Sequence, residues 1–228
     1  TTFGSKIYEN NVPKVDEIAV QRFYDEGIVL LGKTNTSAFG FQPVTDNLIF
    51  GKTKNPWDLN KTSGGSSGGA AVAAACGIGY LNIGSDGGGS VRLPSCLCGV
   101  YGLKPSFGRI PRYPLHDYAW CTLDHYGPLV RFVEDAALLL DALAGPFEGD
   151  RYSLPKQQIN HVEAIKEKPK NLKIGYSMDL GFVKAIEPEV EECVLNSIQK
   201  FEQFGWSVEK AKIKIRKPEL CYNTIYAS

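Results

Sequence analysis

Residues 61–105 hold two glycine–serine clusters, at 64–69 and 84–90, on either side of a run of small residues at 70–76. No other stretch constrains the fold as tightly. Glycine loses more conformational freedom on folding than any other residue, so clusters of it belong where the backbone turns sharply or approaches another group closely. Two clusters in one segment predict a place where backbone N–H groups and serine hydroxyls converge on a small group. A pair of flexible linkers is the plain alternative. It fits poorly, because the alanines of 70–75 favour helix and Arg92 stands between Val91 and Leu93 in a pattern that no linker needs. A phosphate-cradling loop also fits poorly: neither cluster ends in Gly-Lys-Ser/Thr, and neither presents G-x-G-x-x-G after a strand.

Two other motif matches are set aside. Gly65-Ser66-Ser67-Gly68-Gly69 fits the G-x-S-x-G nucleophile elbow, but that motif directly follows a strand. Here NPWD and NKT come before it and read as turn. Ser153-Leu154-Pro155-Lys156 fits S-x-x-K, whose serine and lysine must share a helix face, and Pro155 opposes a continuing helix.

The segments GGSSGGA, GSDGGGSVRLP and CGVYGLKPSFGRIP, with GKTN, KNPWD, LDHYGPL and DAALLLDALAG, resemble the amidase signature family over most of residues 32–145. The resemblance implies hydrolysis or transfer of amides by a Ser–cis-Ser–Lys triad. It makes Ser90 the nucleophile and Ser66, 24 residues earlier, the bridging serine, with a cis peptide bond before it. Backbone N–H groups of Gly87, Gly88, Gly89 and Ser90 would form the oxyanion hole. Asp86 and Arg92 would brace that turn, together with Ser67; an exposed ion pair is the alternative reading of Asp86 and Arg92.

The residue types suit the chemistry. A serine hydroxyl is a weak nucleophile unless a base takes its proton. A lysine serves as that base only when neutral, which desolvation promotes. A bridging serine both accepts and donates, so Ser66 could relay the proton. The chain opens with TTFGS, similar to the family's TT-x-GS segment, which lies shortly after the catalytic lysine. That lysine is therefore expected upstream. The chain is read as lacking it and a C-terminal portion, and as inactive by itself. Lys33 and Lys104 fall in other motifs and read as structural or solvated lysines.

The fold implied is α/β, a mixed twisted β-sheet packed between helices, incomplete in this chain. Residues 1–228 would be part of a single domain, with a signature core at about 28–145 and a β-α-β scaffold at about 170–216. The alanine run predicts a helix over 70–76, and apolar periodicity and end signals predict helices over 16–26, 133–144 and 188–204. They predict strands over 28–31, 80–83, 172–176 and 206–215, and a short apolar segment at 100–103. Residues 36–53 read as a loop with one short helix, and 147–169 as a polar linker. Tyr113, His116, Tyr118, Trp120 and His125 form an aromatic-rich stretch, for which pocket lining and core packing both stay open. His125 reads as structural, since the family chemistry needs no histidine; His116 and His161 have no partner pattern.

Balanced charge, 25 basic against 25 acidic residues, gives no field to attract nucleic acid or a membrane surface. The lysines at 210, 212, 214 and 217 read as a solvated strand face. No apolar run reaches the length of a membrane span. Six cysteines at irregular spacing and three histidines predict no metal site, and reduced, mostly buried thiols in a cytoplasmic enzyme. The expected activity is hydrolysis of a small-molecule carboxylic amide through a serine acyl-enzyme, with no cofactor, and a homodimer is possible. The glutaminase component of glutamyl-tRNA amidotransferase, its A chain, is the enzymatic rival. Leu93 and His125 depart from that component's usual glutamines. A catalytically incomplete anion-binding module is the reading from another class.

Overall fold

The apolar stripes of two helices build the first core. α1 (Ile18–Asp25) buries Ile18, Ala19 and Phe23, and α4 (Val133–Leu143) buries Ala136, Ala137, Leu139 and Leu143. Of these, Ala19, Phe23, Ala136, Leu139 and Leu143 pack with Ile110 and Val130. Arg22 fastens the two helices by donating to the carbonyls of Leu143, Gly145 and Pro146, where a cation also meets the negative end of α4. The computed structural model describes residues 1–114 and 122–226, so His116, Tyr118 and Trp120 of the aromatic stretch lie outside the described residues.

The second core surrounds α2 (Gly68–Ala75) and contains Ala70, Ala71, Val91, Cys98 and Leu129. Side chains this small let α2 lie close to α3 (Arg92–Cys98) and to the central strand. That strand, β3 (His125–Val130), lies between β1 (Ile83–Asp86) and β2 (Tyr101–Gly102), antiparallel to both. Its register pairs Ile83 with Pro128 and Asp86 with His125. Leu129, Leu139, Leu143, Val91 and Val130 are fully buried, each contributing roughly 1.5–3 kcal/mol. Beside β3, Arg112 pairs with Asp124 at 2.6 Å and stacks on Tyr126, whose hydroxyl donates to Glu17. Burial pushes the Asp124 carboxyl up despite the opposing charge of Arg112.

The chain divides into two compact units, Thr1–Lys166 and Glu167–Ser228. In the second, β4 (Lys173–Tyr176) and β5 (Ser207–Lys210) pair in parallel across the connecting helix α6 (Pro188–Glu202). A parallel pair needs such a crossover, and Pro188 occupies the first turn, where its missing N–H costs nothing.

Several expectations change. Residues 28–31 form no strand: no backbone hydrogen bond joins 29–31 to a described neighbour, and Val29 and Leu31 are 81% and 75% exposed. An apolar run reports a demand for burial, whereas a ladder needs a partner. The strand expected at 80–83 begins only at Ile83, because Asn82 turns back to donate to the Gly79 carbonyl at 3.1 Å. The strand expected over 206–215 stops at Lys210, having only the four residues of β4 to pair with. α3 and α7 (Pro218–Tyr226) were not expected. The 147–169 segment holds a short α5 (His161–Ala164), tied to α4 where Asp141 accepts from the His161 ring at 2.6 Å and from the N–H groups of His161 and Val162. The described thiols are free but mostly not buried. Among the described cysteines only Cys98 is buried, while Cys76, Cys96, Cys193 and Cys221 are exposed.

Candidate active site

The two glycine–serine clusters meet. The first runs into α2 and the second joins β1 to α3, and the Ser67 N–H donates to the Ser90 carbonyl at 3.3 Å. Ser67 and Ser85 are stitched twice: the Ser67 hydroxyl donates to the Ser85 carbonyl and accepts from the Ser85 N–H, each at 3.2 Å. This contact needs a bare backbone opposite, since a Cβ on Gly84 would stand 2.5 Å from the Ser67 oxygen.

The peptide bond between Gly65 and Ser66 is cis, as the resemblance implies. The Ser66 carbonyl accepts from Thr36 Oγ1 at 3.0 Å and shares the Thr45 hydroxyl, at 3.1 Å, with the nearer Gly64 carbonyl at 2.8 Å, and Thr45 Oγ1 accepts from the Gly68 N–H at 2.9 Å. Ser66 is buried; Gly40 approaches its hydroxyl, and a Cβ there would lie 3.5 Å from Oγ.

Asp86 organises the second turn. Its carboxylate is fully buried and accepts five hydrogen bonds: from the N–H groups of Gly89 (2.7 Å), Val91 (3.2 Å) and Arg92 (3.3 Å), and from Arg92 Nε (2.9 Å) and Nη2 (2.8 Å). Burial alone would push this carboxyl up. The Arg92 hydrogen bonds and charge, with the backbone N–H groups, outweigh it and hold Asp86 below the usual carboxylate range. Asp86 raises Arg92 in turn. An exposed surface pair does not describe this contact, because one partner is wholly enclosed. Gly89 has φ 119°, a conformation that only glycine adopts readily. Its N–H, expected as an oxyanion donor, is engaged by Asp86. The N–H groups of Gly87, Gly88 and Ser90 have no acceptor among the described residues.

The two lysines of the other motifs stay out of the site's hydrogen bonds. Lys33 Nζ donates to Thr1 Oγ1, and Lys104 Nζ donates to the Pro105 carbonyl at 3.0 Å. Burial, then the charge of Arg92, lowers the Lys104 ammonium, with Asp86 opposing. Among the described residues no lysine is hydrogen-bonded to Ser66 or Ser90, and no three His, Cys, Asp or Glu side chains gather as metal ligands.

All 228 residues match the Amidase family. The chain belongs to the amidase family. It is 43% identical over 213 residues to an acylamidase of Rhodococcus erythropolis, covering 92% of this chain and 44% of that protein. It is 38% identical over 217 residues to the A chain of the glutamyl-tRNA(Gln) amidotransferase of a Sulfurihydrogenibium strain, covering 95% and 44%. The structure of a 6-aminohexanoate cyclic dimer hydrolase, solved with substrate, superposes with TM-score 0.92 at 33% identity, over 99% of this chain and 48% of that one. The corresponding amidotransferase component of Thermotoga maritima gives TM-score 0.90 at 34% identity, over 100% of this chain and 50% of that one. The chain spans about half the length of the relatives it matches. Mixed α/β architecture is thus shared with known amidases.

Thr36 and Thr45, which hold the Ser66 carbonyl, were not singled out from the sequence. They belong to a stretch, 36–53, whose only signal was irregularity. The density of threonine and asparagine from Thr34 to Thr53 was the available clue, since such side chains pair with backbone where regular structure is absent.

Proposed function

We propose that the native protein is an amidohydrolase in which Ser90 attacks the carbonyl carbon of a carboxylic amide. The Ser90 proton passes through Ser66 to a lysine outside residues 1–228. The tetrahedral oxyanion is held by the N–H groups of Gly87, Gly88 and Ser90, while Gly89 keeps the turn in shape through Asp86. Collapse expels ammonia or an amine, which takes the proton back, and leaves an ester on Ser90. Water then hydrolyses that ester to the acid and regenerates the serine. The observation that carries this reading is the nest itself: Ser90 ends a turn whose N–H groups at 87, 88 and 90 lack acceptors among the described residues, and its carbonyl accepts from the N–H of Ser67, the residue that follows the buried Ser66. Each donor so placed is worth roughly 3–4 kcal/mol in an acyl-transfer transition state. The substrate is a small amide; likeness to an acylamidase and to a 6-aminohexanoate cyclic dimer hydrolase supports that class. We assign the enzyme to the cytoplasm, a reading supported by the free described cysteines.

The test is intact mass and peptide mapping of the native full-length protein after a fluorophosphonate probe. A single adduct on Ser90 is expected, lost in Ser90→Ala together with amide hydrolysis. Undiminished hydrolysis by that variant overturns the reading. A glutaminase that feeds ammonia to a partner is the second reading, supported by the amidotransferase relatives. Ammonia released from glutamine faster than from simple amides would favour it. Reversible carboxylate binding without any adduct would favour an anion-binding module.

A further inference from the structure

Beyond the triad and the nest, one side chain grips the peptide unit that opens the glycine turn. His125 lies on β3 directly across from Asp86. Its Nδ1 faces two carbonyl oxygens, Leu123 at 2.6 Å and Asp86 at 3.1 Å. Carbonyls only accept, so Nδ1 carries the proton and donates to both. The ring is held edge-to-face against Phe107, with centroids 5.5 Å apart. The Asp86 side chain is meanwhile locked by its five donors, so the residue is gripped at both carboxylate and carbonyl.

The Asp86 carbonyl and the Gly87 N–H belong to one planar peptide unit. Gly87 follows a trans bond, so its N–H points opposite to that carbonyl. Whatever fixes the carbonyl therefore fixes the direction of the N–H. Glycines at 87 and 88 have no side chains to do so, and the Gly87 N–H has no acceptor of its own among the described residues. We infer that His125 is a positioning residue: by donating from Nδ1 to the Asp86 carbonyl it aims the Gly87 N–H at the developing oxyanion. The inference rests on Ser90 being the nucleophile.

The experiment compares His125→Phe, which keeps a ring against Phe107 and removes the donor, with His125→Asn, whose Nδ2–H stands where Nδ1–H was. Both are made in the native full-length protein. Amide hydrolysis is resolved into kcat and KM, and the rate of fluorophosphonate labelling at Ser90 is followed. The Phe variant should lose roughly tenfold to a hundredfold in kcat and in labelling rate with KM little changed, less than the 10²–10³ for outright removal of a donor. The Asn variant should stay near wild type. Should the Phe variant fail to fold, His125→Leu, close to Asn in shape, takes its place. Wild-type rates in the donor-less variant overturn the inference, as does an Asn variant as slow as the Phe or Leu variant. Wild-type protein that never labels at Ser90 defeats the catalytic reading instead, and the inference with it.

Discussion

Asp86→Ala should destabilise the chain by several kcal/mol, and the structure says where the loss arises. Five donors lose their acceptor at once. They do not weigh equally. The Arg92 side chain is 54% exposed, so its guanidinium rehydrates and its pairing contributes little. The Val91 residue is wholly enclosed, so its N–H finds no water and its stranding costs about 1–3 kcal/mol, whereas half-buried Gly89 loses the roughly 0.5–1.5 kcal/mol of an ordinary hydrogen bond. The total is about 1.5–4.5 kcal/mol. Urea unfolding followed by circular dichroism measures it. Asp86→Asn keeps one acceptor oxygen and should lose about half as much. The pH dependence has a definite sign. The folded carboxyl sits below its unfolded value, so its stabilisation is complete above the unfolded pKa of about 3.9 and disappears as pH falls through the lower folded value. The gap between wild type and Asp86→Asn should therefore be constant near neutrality and close only below about pH 4. A loss under about 1 kcal/mol for Asp86→Ala would refute the reasoning, since it would mean that the enclosed N–H groups find other acceptors.

Two further outcomes follow from packing and burial. Gly84→Ala drives a Cβ to 2.5 Å from Ser67 Oγ and 2.8 Å from Leu129 Cδ1; such overpacking costs about 1–3 kcal/mol, and because Ser67 follows Ser66 it should also slow probe labelling at Ser90, whereas an unchanged melting temperature and labelling rate would show the contact to be slack. Burial, with a smaller contribution from Cys76, pushes the Cys98 thiol up to about 11, so iodoacetamide at about pH 8 should modify the exposed Cys76, Cys96, Cys193 and Cys221 and spare Cys98 in the folded chain; peptide mapping that finds Cys98 alkylated as fast as Cys96 contradicts this.

The amino-acid sequence by itself determined the elements whose signal is local. α1, α4 and α6 follow from apolar spacing of three to four residues and from glycine or proline at their ends, α2 follows from the helix propensity of its alanines, and the bounds of all four differ from expectation by a residue or two. The serine and glycine types at 64–69 and 84–90 marked the site for the same reason, since a backbone that must turn tightly declares itself in composition. α3 escaped notice because Val91, Arg92 and Leu93 mimic strand alternation and Pro94 looks like a stop, although proline is tolerated in a helix's first turn. Tertiary structure alone decided which residues meet. That Ser67 reaches Ser90, that Thr36 and Thr45 hold Ser66, and that His125 faces Asp86 all depend on contacts between segments far apart in the chain. Strand register repeats every two residues, so a slip of one would turn His125 away from Asp86. No property of the histidine or the aspartate alone distinguishes those two registers. Tertiary structure also decided which donors are occupied: all three glycines at 87–89 carry the same N–H, and only the fold of the turn onto the Asp86 carboxylate takes that of Gly89 and leaves its neighbours without an acceptor among the described residues.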